Sequence, residues 1–192
     1  MNSEILHDAI KIVNDWHFGV NRKNPINNVY LPFITHPIEV MKLVWTWGVD
    51  EDTCLAALCH DVIEDTKITE VDIKNCFGEK VCSIVKELTK LPEDDKIEYM
   101  NRFYTSSVEA LVIKIADRNR NLLDFMRSDP KYASKYFGKA LPLFDAMHKR
   151  SSDISKRFGY DTCKAIEKSY SELINQLGPF HISRTFFSGL KN

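Results

Sequence analysis

The feature that most constrains this chain is a helical apolar rhythm that runs through most of its 192 residues, with no sustained strand alternation to interrupt it. Ile5, Leu6, Ala9, Ile12, Val13 and Trp16 recur at three- and four-residue spacing, which predicts a first helix over residues 3–19. Residues 21–30 read as a polar loop around Pro25. His36-Pro37 then opens a second helix, because proline suits the first turn. Ile38, Met41, Val44 and Trp45 keep its period, and Gly48 stops it. Asp50 is an N-cap for a third helix that carries residues 55–66. Thr69 caps residues 70–77, and Gly78 separates them from a helix holding Val81, Ile84, Val85 and Leu88. Residues 94–104 form a charged helix, and Ser107 begins a longer one whose Val108, Leu111, Val112, Ile115 and Leu122 face the core. Two or more helices, near 131–150 and 153–177, cover that core. The tail beyond Gly178 holds Phe180, Phe186 and Phe187, too aromatic for a plain linker, so docking on the domain or on another subunit is expected. There is no internal repeat. The expected fold class is all-α, a single orthogonal helical bundle over residues 1–178 with a tail at 179–192.

Composition excludes several function classes. A hydrophobic fraction of 44% and a charged fraction of 28% suit a soluble globular protein. The net charge of −1 gives no global field towards nucleic acid or an anionic membrane, so any pull on an anionic ligand must be local. No apolar run approaches the roughly 18 residues of a spanning helix. The N-terminus lacks the basic-then-apolar order of a signal peptide, and a cytoplasmic location is expected. Five cysteines (Cys54, Cys59, Cys76, Cys82 and Cys163) form no CxxC pair, which fits reduced thiols. Cys59 neighbours His60, but on a helix its side chain points about 100° away, so core packing is its expected role.

The chemistry lies in a constellation of histidines and carboxylates. His60, Asp61, Glu64 and Asp65 share the third helix; His36 precedes His60 by 24 residues, and Asp117 follows Asp61 by 56. Residues four apart stack on one helical face, so His60 aligns with Glu64 and Asp61 with Asp65. Taken singly, His36-Pro37 also suits a plain helix start, and Asp117 a salt bridge to Lys114 or Arg118. Together, two imidazoles and two carboxylates from three helices can surround one divalent cation. Uncompensated, the gathered carboxylates would repel one another and take up protons; a cation resolves that conflict. Such a mixed nitrogen–oxygen set admits Mn²⁺, Fe²⁺, Ni²⁺ or Zn²⁺. Glu64 and Asp65, one turn on, are placed to move protons to and from water and a leaving oxygen. By themselves these residues support hydrolysis of a phosphate ester.

The order His36-Pro37, then Ala56-Ala57-Leu58-Cys59-His60-Asp61-Val62-Ile63-Glu64-Asp65-Thr66, then Phe77-Gly78, Leu88-Thr89-Lys90-Leu91 and Lys114-Ile115-Ala116-Asp117-Arg118, resembles the HD-domain phosphohydrolases. Among them it is similar to the hydrolase domain of the RelA/SpoT family and the small alarmone hydrolases. An earlier stretch, His17-Phe18-Gly19-Val20-Asn21-Arg22-Lys23, resembles the family's entrance motif; the resemblance covers roughly residues 5–127. It implies an HD-type bundle and a metal set of His36, His60, Asp61 and Asp117, commonly with Mn²⁺. It also implies catalytic roles for Glu64 and Asp65. The implied substrate is guanosine 3′,5′-bis(diphosphate) or its 5′-triphosphate relative, from which water displaces intact 3′-pyrophosphate to leave GDP or GTP. Arg22, Lys23 and Asn121 match substrate contacts of the family, and Lys114 and Arg118 are further phosphate candidates, followed by Arg102 and Arg120.

The chain departs from the family pattern in places. The loop after Arg22-Lys23 is longer, Phe33 stands where tyrosine is frequent, and Arg120 replaces a usual His or Tyr. Asp124 occupies a commonly neutral position and is expected to accept hydrogen bonds from the guanine N1–H and amino edge. About 65 residues follow Arg127, too few for a synthetase domain, so hydrolase activity alone is expected. A homo-oligomer, or a pathway shared with a cognate alarmone synthetase, completes the partners considered. Three other readings stay open: another nucleotide such as an adenosine alarmone or NADPH, a general nucleoside monophosphatase, and a non-catalytic nucleotide-binding module.

Overall fold

A computed structural model describes residues 3–23 and 29–178. It is a helical bundle: α1 (Ser3–Trp16), α2 (Thr35–Thr46), α3 (Glu51–Leu58), α4 (Val62–Asp65), α5 (Glu70–Leu88), α6 (Lys96–Asn101), α7 (Val108–Ser128), α8 (Pro130–Lys149), α9 (Ser151–Phe158) and α10 (Tyr160–Leu177). The expected all-α class holds, and among the described residues no helix is long and apolar enough to cross a membrane. The expectation for the tail at 179–192 lies outside the described residues.

Helix α7 is the axis of the bundle. Residues 110–117 are buried on every side of it, which a surface helix with one apolar stripe would not show. It packs against α2, α3, α5, α8, α9 and α10. Phe103, Phe144, Leu58, Ile73, Leu88 and Leu143 are among the fully buried side chains of the elements around it.

The expected caps form. Asp50 accepts from the Thr53 backbone N–H, Ser107 from that of Ala110, and Thr69 with Asp72 makes a reciprocal capping box. Each such cap stabilises its helix by about 1 kcal/mol. Gly78, at φ +87°, kinks α5 where the sequence placed a separation.

Three local expectations need correction. Residues 21–30 are not all loop: β1 (Asn21–Lys23) pairs antiparallel with β2 (Tyr30–Pro32), Arg22 opposite Leu31. Three-residue arms are too short to show a period of two. The region 153–177 is two helices, because Gly159 at φ +96° breaks it between α9 and α10. The ligand-bearing helix expected through residue 66 stops at Leu58 and resumes at Val62.

Candidate metal centre

That break creates the site. On a continuous helix His60 and Asp61 would diverge by about 100°. Instead the helix ends at Cys59 (φ −95°, ψ 1°), and Asp61 caps the short helix that follows. The Ala57 carbonyl accepts from His60 Nδ1 at 2.8 Å, a side-chain bond that takes the place of a helical one. With the proton on Nδ1, the lone pair of Nε2 faces the site. Asp61 Oδ2 then lies 3.0 Å from His60 Nε2, so neighbours in sequence converge.

The other two candidates arrive from α2 and α7. His36, buried in the first turn of α2, places Nε2 3.9 Å from Asp61 Oδ2 and 3.2 Å from Asp117 Oδ1. Asp117 Oδ1 is 3.8 Å from His60 Nε2. One atom each of His36, His60 and Asp61 falls within 4.8 Å of the others, a separation one ion can span. Asp117 touches both imidazoles, while Lys114 Nζ holds its Oδ2 at 2.9 Å and Asn121 Nδ2 donates to its Oδ1 at 2.5 Å.

The donor set fits a divalent cation. His60 Nε2 is buried and meets only carboxylate oxygens, Asp61 Oδ2 at 3.0 Å and Asp117 Oδ1 at 3.8 Å, a surrounding that suits coordination of a cation. Burial alone would lower the His60 pKa, yet the Asp61 and Asp117 carboxylates push it up to about 10. Both carboxylates stay below the usual range despite their burial, Asp61 through His60 and Asp117 through Lys114 and the two histidines. The pocket therefore demands positive charge. Cys59 is fully buried in the core and is not among the gathered donors.

A family model described as "HD domain" matches residues 28–151. The chain belongs to the HD-domain family. Among relatives it is 35% identical over 115 residues to the guanosine-3′,5′-bis(diphosphate) 3′-pyrophosphohydrolase of Haemophilus influenzae, covering 52% of this chain and 16% of that protein. It is 33% identical over 138 residues to the bifunctional (p)ppGpp synthase/hydrolase SpoT of Escherichia coli, covering 66% of this chain and 19% of that one. The chain thus spans under a fifth of the length of these curated relatives. A solved structure described as a metazoan ortholog of SpoT that hydrolyses ppGpp superposes with a TM-score of 0.70. It shares 24% identity and covers 90% of this chain and 97% of that one, which establishes the fold.

In this HD domain Glu64 and Asp65, the two candidate acid–base residues, sit on α4. Glu64 Oε1 accepts from the Lys90 backbone N–H at 2.8 Å, so the loop after α5 fixes its direction rather than a stripe shared with His60. Burial raises its pKa, and burial with the Asp61 charge raises that of Asp65. Of the candidate substrate contacts, Arg22 Nη2 donates to Asn121 Oδ1 and Asp124 Oδ2. Lys114 is buried on Asp117 and over the Tyr99 ring at 5.3 Å. Arg118 donates to the Tyr136 hydroxyl and covers its ring at 4.7 Å. Arg102 is tied to Asp94 and the Thr89 carbonyl. The Lys23 side chain lies outside the described residues.

Two features escaped the sequence reading. A cleft enclosing about 160 Å³, lined by Lys90, Lys96, Arg118 and Lys139 with Tyr99, Tyr132, Tyr136 and Met100, connects to the site through Lys90, which holds Glu64, and Tyr99, which faces Lys114. Four cations and no carboxylate line it, although the chain as a whole carries a net charge of −1. Its residues come from the loop after α5, and from α6, α7 and α8, a convergence no local pattern encodes. His17 is the second: buried, stacked on Phe33 at 5.0 Å, it bonds the Val13 carbonyl through Nδ1 and leaves Nε2 without a partner. Its place ahead of Gly19 and Arg22 in the entrance motif was the available signal.

Proposed function

We propose that this HD domain hydrolyses guanosine 3′,5′-bis(diphosphate) and its 5′-triphosphate relative, releasing pyrophosphate and leaving GDP or GTP. The observation that carries the reading is the convergence of His36, His60, Asp61 and Asp117 beside a cationic cleft free of carboxylates. The names of the relatives agree with it. These four residues would hold one divalent cation, Mn²⁺ in our reading, which supplies positive charge to phosphate oxygens and makes water a better nucleophile.

The chain's own residues do the rest. Of Glu64 and Asp65, both shifted towards retaining a proton, one takes a proton from the attacking water. The other returns one to the 3′-oxygen as its bond to phosphorus breaks. The water oxygen forms the new bond to phosphorus, so pyrophosphate leaves intact. Lys90, Lys96, Arg118 and Lys139 bind the phosphates of the substrate, with the Arg118 fork suited to two oxygens at once. Arg22, Asn121 and Asp124 serve the nucleoside end, with Lys23 retained as a candidate contact, and Lys114 stabilises Asp117 from behind.

A panel of guanosine and adenosine 3′,5′-bis(diphosphates) and NADPH, assayed with Mn²⁺, tests the proposal. Pyrophosphate released from the guanosine substrate, and lost in Glu64→Ala, is expected. Orthophosphate released from NADPH alone would contradict it, and tight binding of every ligand without turnover would favour a binding module.

A further inference from the structure

Asp124 stands one turn beyond Asn121 on α7, where the sequence suggested a contact to the base edge. The structure gives its carboxylate a partner within the chain. Arg22 Nη2 donates to Asp124 Oδ2 and to Asn121 Oδ1, each at 2.8 Å, joining β1 to a helix about a hundred residues later. We propose that Asp124 is a positioning residue that fixes the Arg22 guanidinium, and through it the Asn121 amide, at the mouth of the site. The nucleoside end of the substrate then meets a preformed donor. The inference rests on the nucleotide-hydrolase reading above and adds a residue through which this chain tunes substrate affinity.

Three observations support it. The ribbon that carries Arg22 has three residues per strand, too little to hold a side chain in place unaided. Asp124 supplies a tether from the rigid axis of the bundle. Next, the pair is neither a core strut nor a free surface contact, since its side chains are 22% and 19% exposed. Finally, Asn121 is committed at both ends: Oδ1 receives Arg22, and Nδ2 donates to Asp117 Oδ1 at 2.5 Å. A line of contacts thus runs from Asp124 through Arg22 and Asn121 to a metal-ligand candidate. Asp124 also cancels the Arg22 charge, so it contributes order rather than attraction. Immobilising a rotamer-rich side chain during binding costs roughly two- to twelvefold in affinity, and that is the range the tether protects.

The test is steady-state hydrolysis of guanosine 3′,5′-bis(diphosphate) by the full chain with Mn²⁺, comparing wild type with Arg22→Ala, Asp124→Ala, Asp124→Asn and the double alanine variant. Asp124→Ala is expected to raise KM roughly five- to tenfold with kcat within about twofold. Asp124→Asn, which keeps an acceptor for Arg22, recovers part of the loss. The double variant matches Arg22→Ala alone, because Asp124 acts only through Arg22. An unchanged KM in Asp124→Ala overturns the proposal, as do losses that multiply in the double variant. So does an altered preference for guanosine over adenosine substrate in Asp124→Ala, which would mean direct reading of the base. Loss of kcat and melting temperature together would reduce the residue to a structural strut. A wild type that cleaves none of the panel refutes the hydrolase reading itself, and this inference with it.

Discussion

Lys114→Met separates a buried charge that supports the site from one that binds substrate. Lys114 Nζ lies 2.9 Å from Asp117 Oδ2, and the two side chains are 7% and 5% exposed. Methionine keeps the stem packing near Tyr99 and removes only the charge. Breaking a buried pair by deleting one partner costs about 3–5 kcal/mol. Asn121 and His36 still contact Asp117 Oδ1, which favours the lower end, about 3 kcal/mol. For a domain of this size that is a fall of roughly 6–12 °C in melting temperature. The deficit is expected in full with a chelator present and to shrink by about half in saturating Mn²⁺, because bound cation replaces the lost charge beside Asp117. Differential scanning calorimetry under both conditions measures it. A variant that melts within 2 °C of wild type in chelator would refute the assignment of Lys114 to Asp117. A deficit insensitive to Mn²⁺ would refute the electrostatic link between this pair and the metal centre.

Further outcomes follow from the same geometry. Burial raises the pKa of both Glu64 and Asp65, and the one that serves as base works only when ionised, so kcat/KM should fall with decreasing pH above the ordinary carboxylate range. Glu64→Gln should lower kcat by about 10²–10⁴; loss of that acidic limb in its pH–rate profile assigns the base to Glu64, and its survival assigns it to Asp65. For Asp50, burial alone would raise the pKa, but hydrogen bonds from Thr53 and Arg157 hold it at about 2, below its ordinary 3.8. A depressed carboxylate contributes stability above the unfolded value that disappears as pH falls through the folded one, here between about 4 and 2. Asp50→Asn keeps the cap and should cost about 1 kcal/mol at pH 7, discounted for partial exposure, with only a small remainder at pH 2 by urea unfolding. Gly78→Ala meets no steric neighbour but forces φ +87° on an L-residue, so a loss of about 1–2 kcal/mol is expected in the same assay.

Much of the fold was written in local signals. The caps at Asp50, Thr69 and Ser107 were readable because a short polar side chain ahead of an apolar period has few other uses. Gly48 and Gly78 marked stops because both adopt positive φ. The candidate metal residues could be singled out by type and order, and the structure gathers His36, His60 and Asp61, with Asp117 against both imidazoles. The means of convergence was not legible. Periodicity favours an unbroken helix through His60 and Asp61, whereas the imidazole bond to the Ala57 carbonyl ends it. The cationic cleft was hidden because Lys90, Lys96, Arg118 and Lys139 are scattered over about fifty residues and meet only through tertiary packing. Lys114 looked like a phosphate ligand from its place beside Asp117, and only its burial reveals it as a partner of that carboxylate. Asp124 likewise gained its partner from a strand about a hundred residues away.

The most direct measurement combines metal content with product identity. Wild type and His60→Ala are loaded with Mn²⁺, desalted, analysed for bound metal, and incubated with guanosine 3′,5′-bis(diphosphate). Wild type should retain about one ion per chain and yield GDP and intact pyrophosphate in equal amounts, while His60→Ala loses both the ion and the products. Retention of metal and full turnover by His60→Ala would contradict the centre described here, and so would a metal-loaded wild type that leaves the substrate uncleaved.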